Sequence, residues 1–507
     1  MSTARGVIEA VFVQGTNPLN FVKRCAALFA CCAALSQPAR GLPRALAAAP
    51  NPPPQAGRPS PPAEELPRGR VVERVVTLKD PAQTYALYLP SNYTGARRWP
   101  VLYCFDPLAR GAVPVKLFSE AAERFGWVVV GSNNSRNGPL KPSLDATRLM
   151  FEDAQARLSI DGARVYATGF SGGARHAVLI DFLCKHCLAG VIAAGAGYPP
   201  NFKPEAPLTF AFFGVAGADD FNFAEMKLLE AELSRLKATQ RFESFEGGHA
   251  WPTPELAAAA VEWMELQAVR EGLRQKDEAF TNAVWERRLA EARRLEESSK
   301  LYAARRAYES LAADFRGLRD TAEAGARAAA LGASKEVRAA LRDEAEQLGR
   351  QQRLVAELFE LAEKRRGEFE VRTQAAADFR RIVEGLRVKA QADVDSGERR
   401  VARRTLSQIT ARYYETAANL RRERARPSEV VAALEVASEV SPRSPQLFYE
   451  LAVAYAANSD KKKSLAALRK AFDLGFKDTA TLEREPALEP LRGEAEYKRL
   501  VEGAHVK

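Results

Sequence analysis

The segment GFSGG, residues 169–173, places one serine hydroxyl among glycines where two sequence patterns meet. A β-branched and aromatic run precedes it and a helix-like run follows it, so a sharp turn would lift Ser171 above a strand end. A serine hydroxyl is a weak nucleophile that needs a base and hydrogen-bond donors for the oxyanion that forms. The spacing therefore predicts a nucleophilic serine. We expect the Gly172 N–H, at the start of the next helix, to be one oxyanion donor.

The chain has four histidines that could take the proton of this serine. His505 lies at the C-terminal end. His176 and His186 lie on the helix after the serine, where their side chains are expected to project away from the turn. His249 lies in the segment GGHAWP, between a predicted strand and a helix, where loops collect catalytic groups. We predict His249 to be the general base, and the alternative is a surface histidine without a catalytic role.

An acid that orients the imidazole is expected between the serine and the histidine in chain order. Asp219 and Asp220 follow the apolar run LTFAFFG, and either carboxylate could reach the histidine from a loop. We predict Asp220 to be the orienting acid, with Asp219 as the alternative. One of the two is expected to cap the helix that starts near Asn222 or Phe223.

The elements that must position these groups alternate between short apolar runs and longer amphipathic ones from 71 to 270. This alternation predicts an α/β fold with a mainly parallel sheet covered by helices on both faces. Runs such as VLYCF and WVVVG are apolar throughout, which is typical of strands buried on both faces. The first two strands are expected to form an antiparallel hairpin. Predicted strands span 71–78, 84–89, 99–105, 127–131, 164–168, 190–194, 207–213 and 241–245, and predicted helices span 115–125, 144–158, 172–187, 223–238 and 254–270.

The motifs GFSGGA and GGHAWP resemble the polyhydroxybutyrate depolymerase and feruloyl esterase branch of the α/β-hydrolase superfamily, over about residues 70–270. The resemblance implies a triad of Ser171, His249 and one of the two adjacent aspartates. It implies cleavage of a small-molecule or polymeric carboxylic ester through an acyl-enzyme, with no metal and no organic cofactor. It also makes Trp251, which matches the aromatic residue after the histidine, a wall of the substrate pocket.

Two further residues are predicted to line the pocket. Phe170 precedes the serine, and Asn134 lies in the Asn-rich loop 131–139 after another predicted strand. Ordinary turn chemistry is the alternative for this loop.

One position departs from the pattern of that branch, which has His-Gly after the first long central strand. Asp106 and Pro107 stand there instead. Proline has no N–H, so the second oxyanion donor is predicted to be Leu108, with Ala109 as the alternative.

The chain has 507 residues, 46% hydrophobic and 27% charged, which is enough for two or three domains. The net charge is +10, but arginines are mixed with glutamates in segments such as WERRLAEARRLEE. Mixed signs of this kind indicate solvated helix faces, and basic runs with interleaved aromatic residues are absent. The sequence therefore argues against a nucleic-acid partner.

Beyond about residue 272 the sequence has helical spacing and no strand-like run. Residues 446–476 carry small and large apolar residues at the positions of a helix–turn–helix repeat of about 34 residues, which resembles the tetratricopeptide family. An ordinary helical bundle is the alternative. Such repeats imply a protein partner for the helical region. The predicted divisions are a targeting segment at 1–47, a Pro-rich linker at 48–68, a hydrolase domain at 69–272, a helical region at 273–410 and tetratricopeptide-like repeats at 411–507.

The N-terminal segment has the layout of a secretory signal, with two basic residues before an apolar stretch at 25–35 and Ala-rich residues at 44–50. This predicts export, with translation starting at Val22. The stretch is too short for an integral membrane span. A disordered or transit-like tail is the alternative, and Cys31 is a candidate lipid-anchoring site.

Beyond that segment the chain has Cys104, Cys184 and Cys187. The C-x-x-C pair is expected to be two buried or incidental thiols. A local disulfide is the second choice, and redox catalysis or a zinc site is the third. Taken together, the sequence predicts an exported serine hydrolase, most simply a carboxylesterase. The alternatives are a non-catalytic tetratricopeptide scaffold with an idle hydrolase domain, and a serine peptidase on the same fold.

Overall fold

The computed structural model describes residues 66–365 and 367–505. The predicted targeting segment, 1–47, and most of the predicted linker, 48–68, lie outside these residues. Among the described residues, no helix combines the length and the apolar composition needed to cross a membrane.

The first part of the described chain forms an eight-stranded sheet with the order β1-β2-β4-β3-β5-β6-β7-β8. The predicted hairpin is confirmed, since β1 pairs antiparallel with β2. Strand β2 is antiparallel to β4, and all other neighbours are parallel. The strands are β1 (Val71–Val76), β2 (Thr84–Tyr88), β3 (Trp99–Phe105), β4 (Val128–Ser132), β5 (Ile160–Phe170), β6 (Gly190–Ala194), β7 (Ala211–Gly217) and β8 (Gln240–Phe245).

Helices cover both faces of this sheet, as the uniformly apolar strands predict. Strands β3, β4, β6 and β7 are buried along their whole lengths. Helices α1 and α5 pack on one face, and α2, α3 and α4 pack on the other. The mainly parallel α/β fold is therefore confirmed. These helices are α1 (Ala112–Phe125), α2 (Leu140–Arg157), α3 (Gly172–Leu183), α4 (Phe223–Arg235) and α5 (Pro254–Arg270).

The largest shift between the predicted and observed sheet lies in β7. The prediction was 207–213, whereas the strand runs from Ala211 to Gly217. Every residue of this strand is buried, so the sequence there has no alternation that could fix where the strand begins. The observed end at Gly217 is the one that matters, because the loop with the candidate acid starts there.

Cys184 and Cys187 form a disulfide just beyond the end of α3. The sequence favoured two incidental thiols here, and that prediction was wrong. A short loop at a helix end can bring two thiols of this spacing together, and the sequence pattern alone does not choose between the two states.

The rest of the described chain is helical, and residues 278–505 include no strand among those that the structure describes. Successive helices pack against one another, and small buried residues mark close approach: the hydroxyl of Ser464 donates to the carbonyl of Ala452 at 2.7 Å. The tetratricopeptide-like character stays a prediction. The helices are α6 (Glu278–Glu297), α7 (Leu301–Asp314), α8 (Ala322–Gly332), α9 (Lys335–Lys364), α10 (Phe369–Ala390), α11 (Gly397–Arg422), α12 (Pro427–Val440), α13 (Pro445–Ala457), α14 (Lys461–Asp473), α15 (Thr479–Arg484) and α16 (Ala495–His505), with a 3₁₀ turn at Pro486–Leu491.

The helical region is joined to the sheet by buried polar contacts. The carboxylate of Asp314, on α7, accepts hydrogen bonds from Trp263 Nε1 at 2.7 Å, from Arg288 at 2.8 Å and from Arg241 at 3.0 Å. Asp314 is only 3% exposed, and a buried carboxylate needs such partners to offset its lost hydration. The two parts of the chain are therefore held together by buried contacts and not only by a flexible linker.

Candidate active site

Ser171 occupies the turn between the end of β5 and the start of α3. Its backbone has φ 55° and ψ −121°, a conformation that is strained for a residue with a side chain and is typical of functional turns. The Ser171 N–H donates to the carbonyl of Ala194, at the end of β6, at 2.8 Å. The predicted strand–serine–helix turn is therefore present in the structure.

The glycines on either side of Ser171 are required by close backbone contacts. A Cβ on Gly169 would lie 2.1 Å from the carbonyl carbon and oxygen of Gly173. A Cβ on Gly173 would in turn lie 2.1 Å from the carbonyl oxygen of Phe105, at the end of β3. The first turn of α3 thus rests directly on two strands, and the turn has no room to relax.

His249 and Asp220 form a hydrogen-bonded pair at the same edge of the sheet. The imidazole Nδ1 lies 2.9 Å and 3.0 Å from the two carboxylate oxygens of Asp220. Asp220 is fully buried, and its Oδ1 also accepts from the backbone N–H of Asn222 at 2.8 Å. Because a carboxylate accepts, Nδ1 carries the proton and Nε2 is left as the acceptor.

Two phenyl rings hold the imidazole of His249 in place. The ring centroids of Phe170 and Phe221 lie 4.5 Å and 4.1 Å from that of the imidazole. The side chain of His249 is 19% exposed, so one edge remains open to a substrate. Phe170, predicted to line the pocket, therefore packs against the candidate base.

The imidazole lies next to the strand end that supports Ser171. A Cβ on Gly195 would lie 3.1 Å from His249 Cε1 and 3.0 Å from Asp220 Oδ2. The preceding residue, Ala194, accepts the N–H of Ser171. The Ser171 hydroxyl itself makes no hydrogen bond with any residue that the structure describes, His249 included. Catalytic hydrogen bonds of free enzymes often tighten only when substrate binds.

The alternative acid lies elsewhere. Asp219 forms an ion pair with Arg403 at 2.8 Å, and its N–H donates to the carbonyl of Gly247. The geometry therefore distinguishes the two adjacent aspartates, and it is Asp220 that contacts His249.

The two other internal histidines have their own partners. His176 Nε2 lies 2.8 Å from the hydroxyl of Thr147, and burial lowers the pKa of His176 to about 4. His186 Nδ1 lies 2.9 Å from a carboxylate oxygen of Asp181. Both rings are held by structural contacts. His176 lies on α3 as predicted, whereas His186 lies in the loop beyond Leu183, where the helix ends earlier than predicted.

Asp106 organises the loop after β3. Its carboxylate accepts from Leu108 N–H, Arg110 Nε and Trp251 Nε1, each at 2.9 Å. Burial alone would raise the pKa of Asp106, but hydrogen bonds from Arg110, Trp251 and Leu108 lower it below its ordinary value. Trp251 is thus oriented by a buried carboxylate. The Leu108 N–H is already engaged in this arrangement, and the Ala109 N–H donates to the carbonyl of Asp106 at 3.1 Å.

The Asn-rich loop presents a different asparagine from the predicted one. Asn134 is tied to the β1–β2 hairpin, since its Oδ1 accepts from Thr84 N–H at 2.8 Å and its amide donates to the carbonyl of Ala82 at 3.1 Å. Asn137 lies over the first residue of α3, where a Cβ on Gly172 would meet its Oδ1 at 1.8 Å. Asn137 is therefore the amide side chain next to the nucleophile turn, and the sequence pattern indicated only its loop.

The helical region holds the loop that carries Asp220, which we call the acid loop (residues 218–222, between β7 and α4). Arg404 Nε, on α11, donates to the carbonyl of Ala218 at 2.6 Å. The amide of Gln351, on α9, donates to the carbonyl of Phe221 at 3.3 Å. Sequence reasoning missed both residues, because no local pattern marks a contact between positions so far apart in the chain.

Within the described residues, no group of three or more His, Cys, Asp or Glu side chains could hold a metal ion. The described groups at this edge of the sheet are a strained serine, an imidazole–carboxylate pair, and amides near the start of a helix.

No protein-family model matches the chain, and no curated protein matches it significantly. Solved structures similar to part of it include an S-formylglutathione hydrolase from Staphylococcus aureus, 13% identical, with a TM-score of 0.32, covering 39% of this chain and 98% of that one. An esterase from Pyrobaculum calidifontis is 12% identical, with a TM-score of 0.34, covering 40% and 87%. A ferulic acid esterase is 15% identical, with a TM-score of 0.30, covering 38% and 94%. Likeness at this level assigns neither an activity nor a substrate to this chain.

The close backbone contact at the turn yields a stability prediction. We expect Gly169→Ala to lower the free energy of unfolding by about 1–3 kcal/mol, because its methyl group would overlap the carbonyl of Gly173. Gly162→Ala is the matched control on the same strand, since a Cβ there meets no atom within 4 Å. Urea denaturation of both variants measures the difference. Equal stabilities of the two variants would contradict the tight packing of the turn.

Proposed function

We propose that this protein hydrolyses carboxylic esters, with Ser171 as the nucleophile, His249 as the general base and Asp220 as the orienting acid. The observation that carries the proposal is the hydrogen-bonded His249–Asp220 pair beside a strained serine at a strand–helix turn. These three groups come from three loops at one edge of a parallel sheet, an arrangement that recurs in serine hydrolases.

Each group has a defined task in the reaction. The Ser171 oxygen attacks the ester carbonyl while Nε2 of His249 takes the hydroxyl proton. The same proton passes to the leaving alcohol, which departs and leaves an acyl group on the serine. A water then attacks the acyl-enzyme with His249 again as the base, and the acid product and free serine result. Asp220 keeps the proton on Nδ1 and stabilises the imidazolium that forms in both steps.

The oxyanion requires donors near the start of α3. The Gly172 N–H is one, since the first N–H groups of a helix have no intrahelical acceptor. The predicted second donor, the Leu108 N–H, would first have to leave the carboxylate of Asp106. The side-chain amide of Asn137 lies over Gly172, with its Oδ1 nearer than its Nδ2 to a Cβ there. Rotation of this amide would turn the Nδ2 donor toward the oxyanion without that exchange. We assign Asn137 as the second donor on this ground.

The substrate side of the site is aromatic. The ring centroids of Phe170 and Trp251 lie 5.8 Å apart, and Trp251 is fixed by its hydrogen bond to Asp106. We propose that Trp251 borders the acyl or alcohol group of a small-molecule or polymeric ester. The tetratricopeptide-like repeats at 411–507 and a protein partner for them remain predictions.

Substitution of the triad residues tests the proposal through ester turnover. With 4-nitrophenyl acetate and butyrate as substrates, we expect Ser171→Ala and His249→Ala to lower kcat about a millionfold and Asp220→Asn about ten-thousandfold. Asp219→Asn is the matched control, because this carboxylate pairs with Arg403, and we expect a loss below about tenfold.

Two outcomes would contradict the ester hydrolase. Folded wild-type protein that turns over none of these esters would favour the non-catalytic scaffold. Equal losses in Asp219→Asn and Asp220→Asn would remove the special role of the carboxylate that contacts His249.

We also propose that the chain is exported. The charge and apolar pattern of residues 22–50 supports this, and so does the Cys184–Cys187 disulfide, because disulfides persist in oxidising compartments. Mass spectrometry of the mature N-terminus should find cleavage near residue 48 in an exported fraction. A cytoplasmic protein that retains Met1 would contradict export.

A further inference from the structure

A cavity of about 260 Å³ lies between the helical region and α4, next to the acid loop. Its walls come from α9, from the start of α11 and from Phe223, the first residue of α4. Ser171, His249 and Asp220 are not among the residues that line it. The cavity is thus distinct from the candidate active site. The two are close in the chain, because Phe223 in the cavity wall directly follows the acid loop that carries Asp220.

Arg404 brings to this cavity a buried guanidinium whose terminal nitrogens lack hydrogen-bond partners among the described residues. The residue is 3% exposed, and its guanidinium carbon lies 3.9 Å from the centroid of the Phe223 ring. Its Nε donates to the carbonyl of Ala218, but its two terminal nitrogens make no hydrogen bond with any described residue. Within the described chain it also forms no ion pair. Burial, and then the neighbouring charge of Arg400, lowers the pKa of Arg404 to about 10, against the opposing effect of the carboxylates of Asp219, Glu344 and Asp220.

The other charged groups of the cavity are already matched. Arg400 Nε pairs with Asp395 at 3.0 Å, and the same guanidinium reaches Glu246 at 3.1 Å. Glu344 accepts from the hydroxyl of Tyr302 at 2.9 Å. It also lies 3.4 Å from a lysine ammonium of α4. Among the described residues, Arg404 is therefore the cation of this cavity that no carboxylate contacts directly, although the carboxylates of Asp219, Glu344 and Asp220 lie near enough to act on its charge.

The start of α11 adds a second feature that favours an anion. Ser396 and Gly397, at the N-terminus of this 26-residue helix, line the same cavity. The first N–H groups of a helix lack intrahelical acceptors, and the helix dipole is positive at this end. Ser396 Oγ accepts only one of these groups, the N–H of Arg399.

From these features we infer that the cavity binds a small organic acid through its carboxylate, with the terminal nitrogens of Arg404 and the N-terminus of α11 as the donors. The planar fork of a guanidinium matches the two oxygens of a carboxylate. A dianionic phosphate fits less well than a monoanionic carboxylate, because the carboxylates of Glu344 and Asp395 in the cavity wall repel two negative charges more strongly than one. The volume is near the lower end for ligand pockets, which points to an acid of a few carbon atoms or one aromatic ring.

The site has a direct connection to the candidate triad. The guanidinium that would bind the acid also donates to Ala218, two residues before Asp220. A carboxylate that draws on this guanidinium would therefore shift the acid loop. This coupling rests on the proposed function, because it acts on the residue assigned to orient His249. The binding site itself does not rest on the proposed function.

Isothermal titration of the full chain with sodium benzoate, butyrate and inorganic phosphate tests the site. We expect saturable binding of benzoate or butyrate, one molecule per chain, weakened at least tenfold in Arg404→Met. Because Arg404 is buried, Ala340→Phe provides a second variant, which fills the cavity from α9 and leaves the arginine intact. Arg412→Gln, on the exposed side of α11, is the matched control and should bind as the wild type does.

The outcomes separate the site from the proposed function. Absence of saturable carboxylate binding, preference for phosphate, or affinity that Ala340→Phe leaves unchanged would overturn the site, and the last would point to binding at the triad instead. In ester hydrolysis, saturating benzoate should change kcat at least twofold in the wild type and leave it unchanged in Ala340→Phe. An unresponsive wild-type rate would overturn the coupling. Absence of any turnover by the wild-type protein would contradict the proposed function. The titration would still test the binding site independently.

Discussion

The hydrogen bond between the imidazole of His249 and the buried carboxylate of Asp220 is the contact on which the account depends. A carboxylate this deeply buried is costly without partners, and it obtains them from the imidazole and from a backbone N–H of its own loop. The phenyl rings of Phe170 and Phe221 restrict the remaining freedom of the ring. The imidazole is thus held in one tautomer and one orientation before any substrate arrives.

The helical region contributes contacts to the loop that carries Asp220. Arg404 and Gln351 donate hydrogen bonds to carbonyls of the acid loop, and Asp314 ties the first helices of the region to α5 and β8. The positions of the acid and of the helices are consequently coupled. The helices thus contact the loop that carries Asp220 directly, through Arg404 and Gln351.

Local patterns were enough to predict the sheet, its covering helices and the three loops with Ser171, the aspartate pair and His249. These local patterns could not identify which distant residues contact the serine, the aspartates or the histidine. The Leu108 N–H donates to the carboxylate of Asp106, two residues earlier, which is a common turn interaction of aspartate. This hydrogen bond could therefore have been predicted from the sequence. Arg404 and Ala218 are 186 residues apart in the chain, and no pattern in a single sequence indicates a contact between them.

The most direct test of the central claim is covalent labelling of the full-length protein with a fluorophosphonate, followed by peptide mapping. Such reagents phosphonylate a serine whose hydroxyl is activated by a neighbouring base. We expect a single adduct on Ser171 that disappears in the His249→Gln variant. A folded protein that remains unlabelled, or one labelled at a different residue, would contradict it.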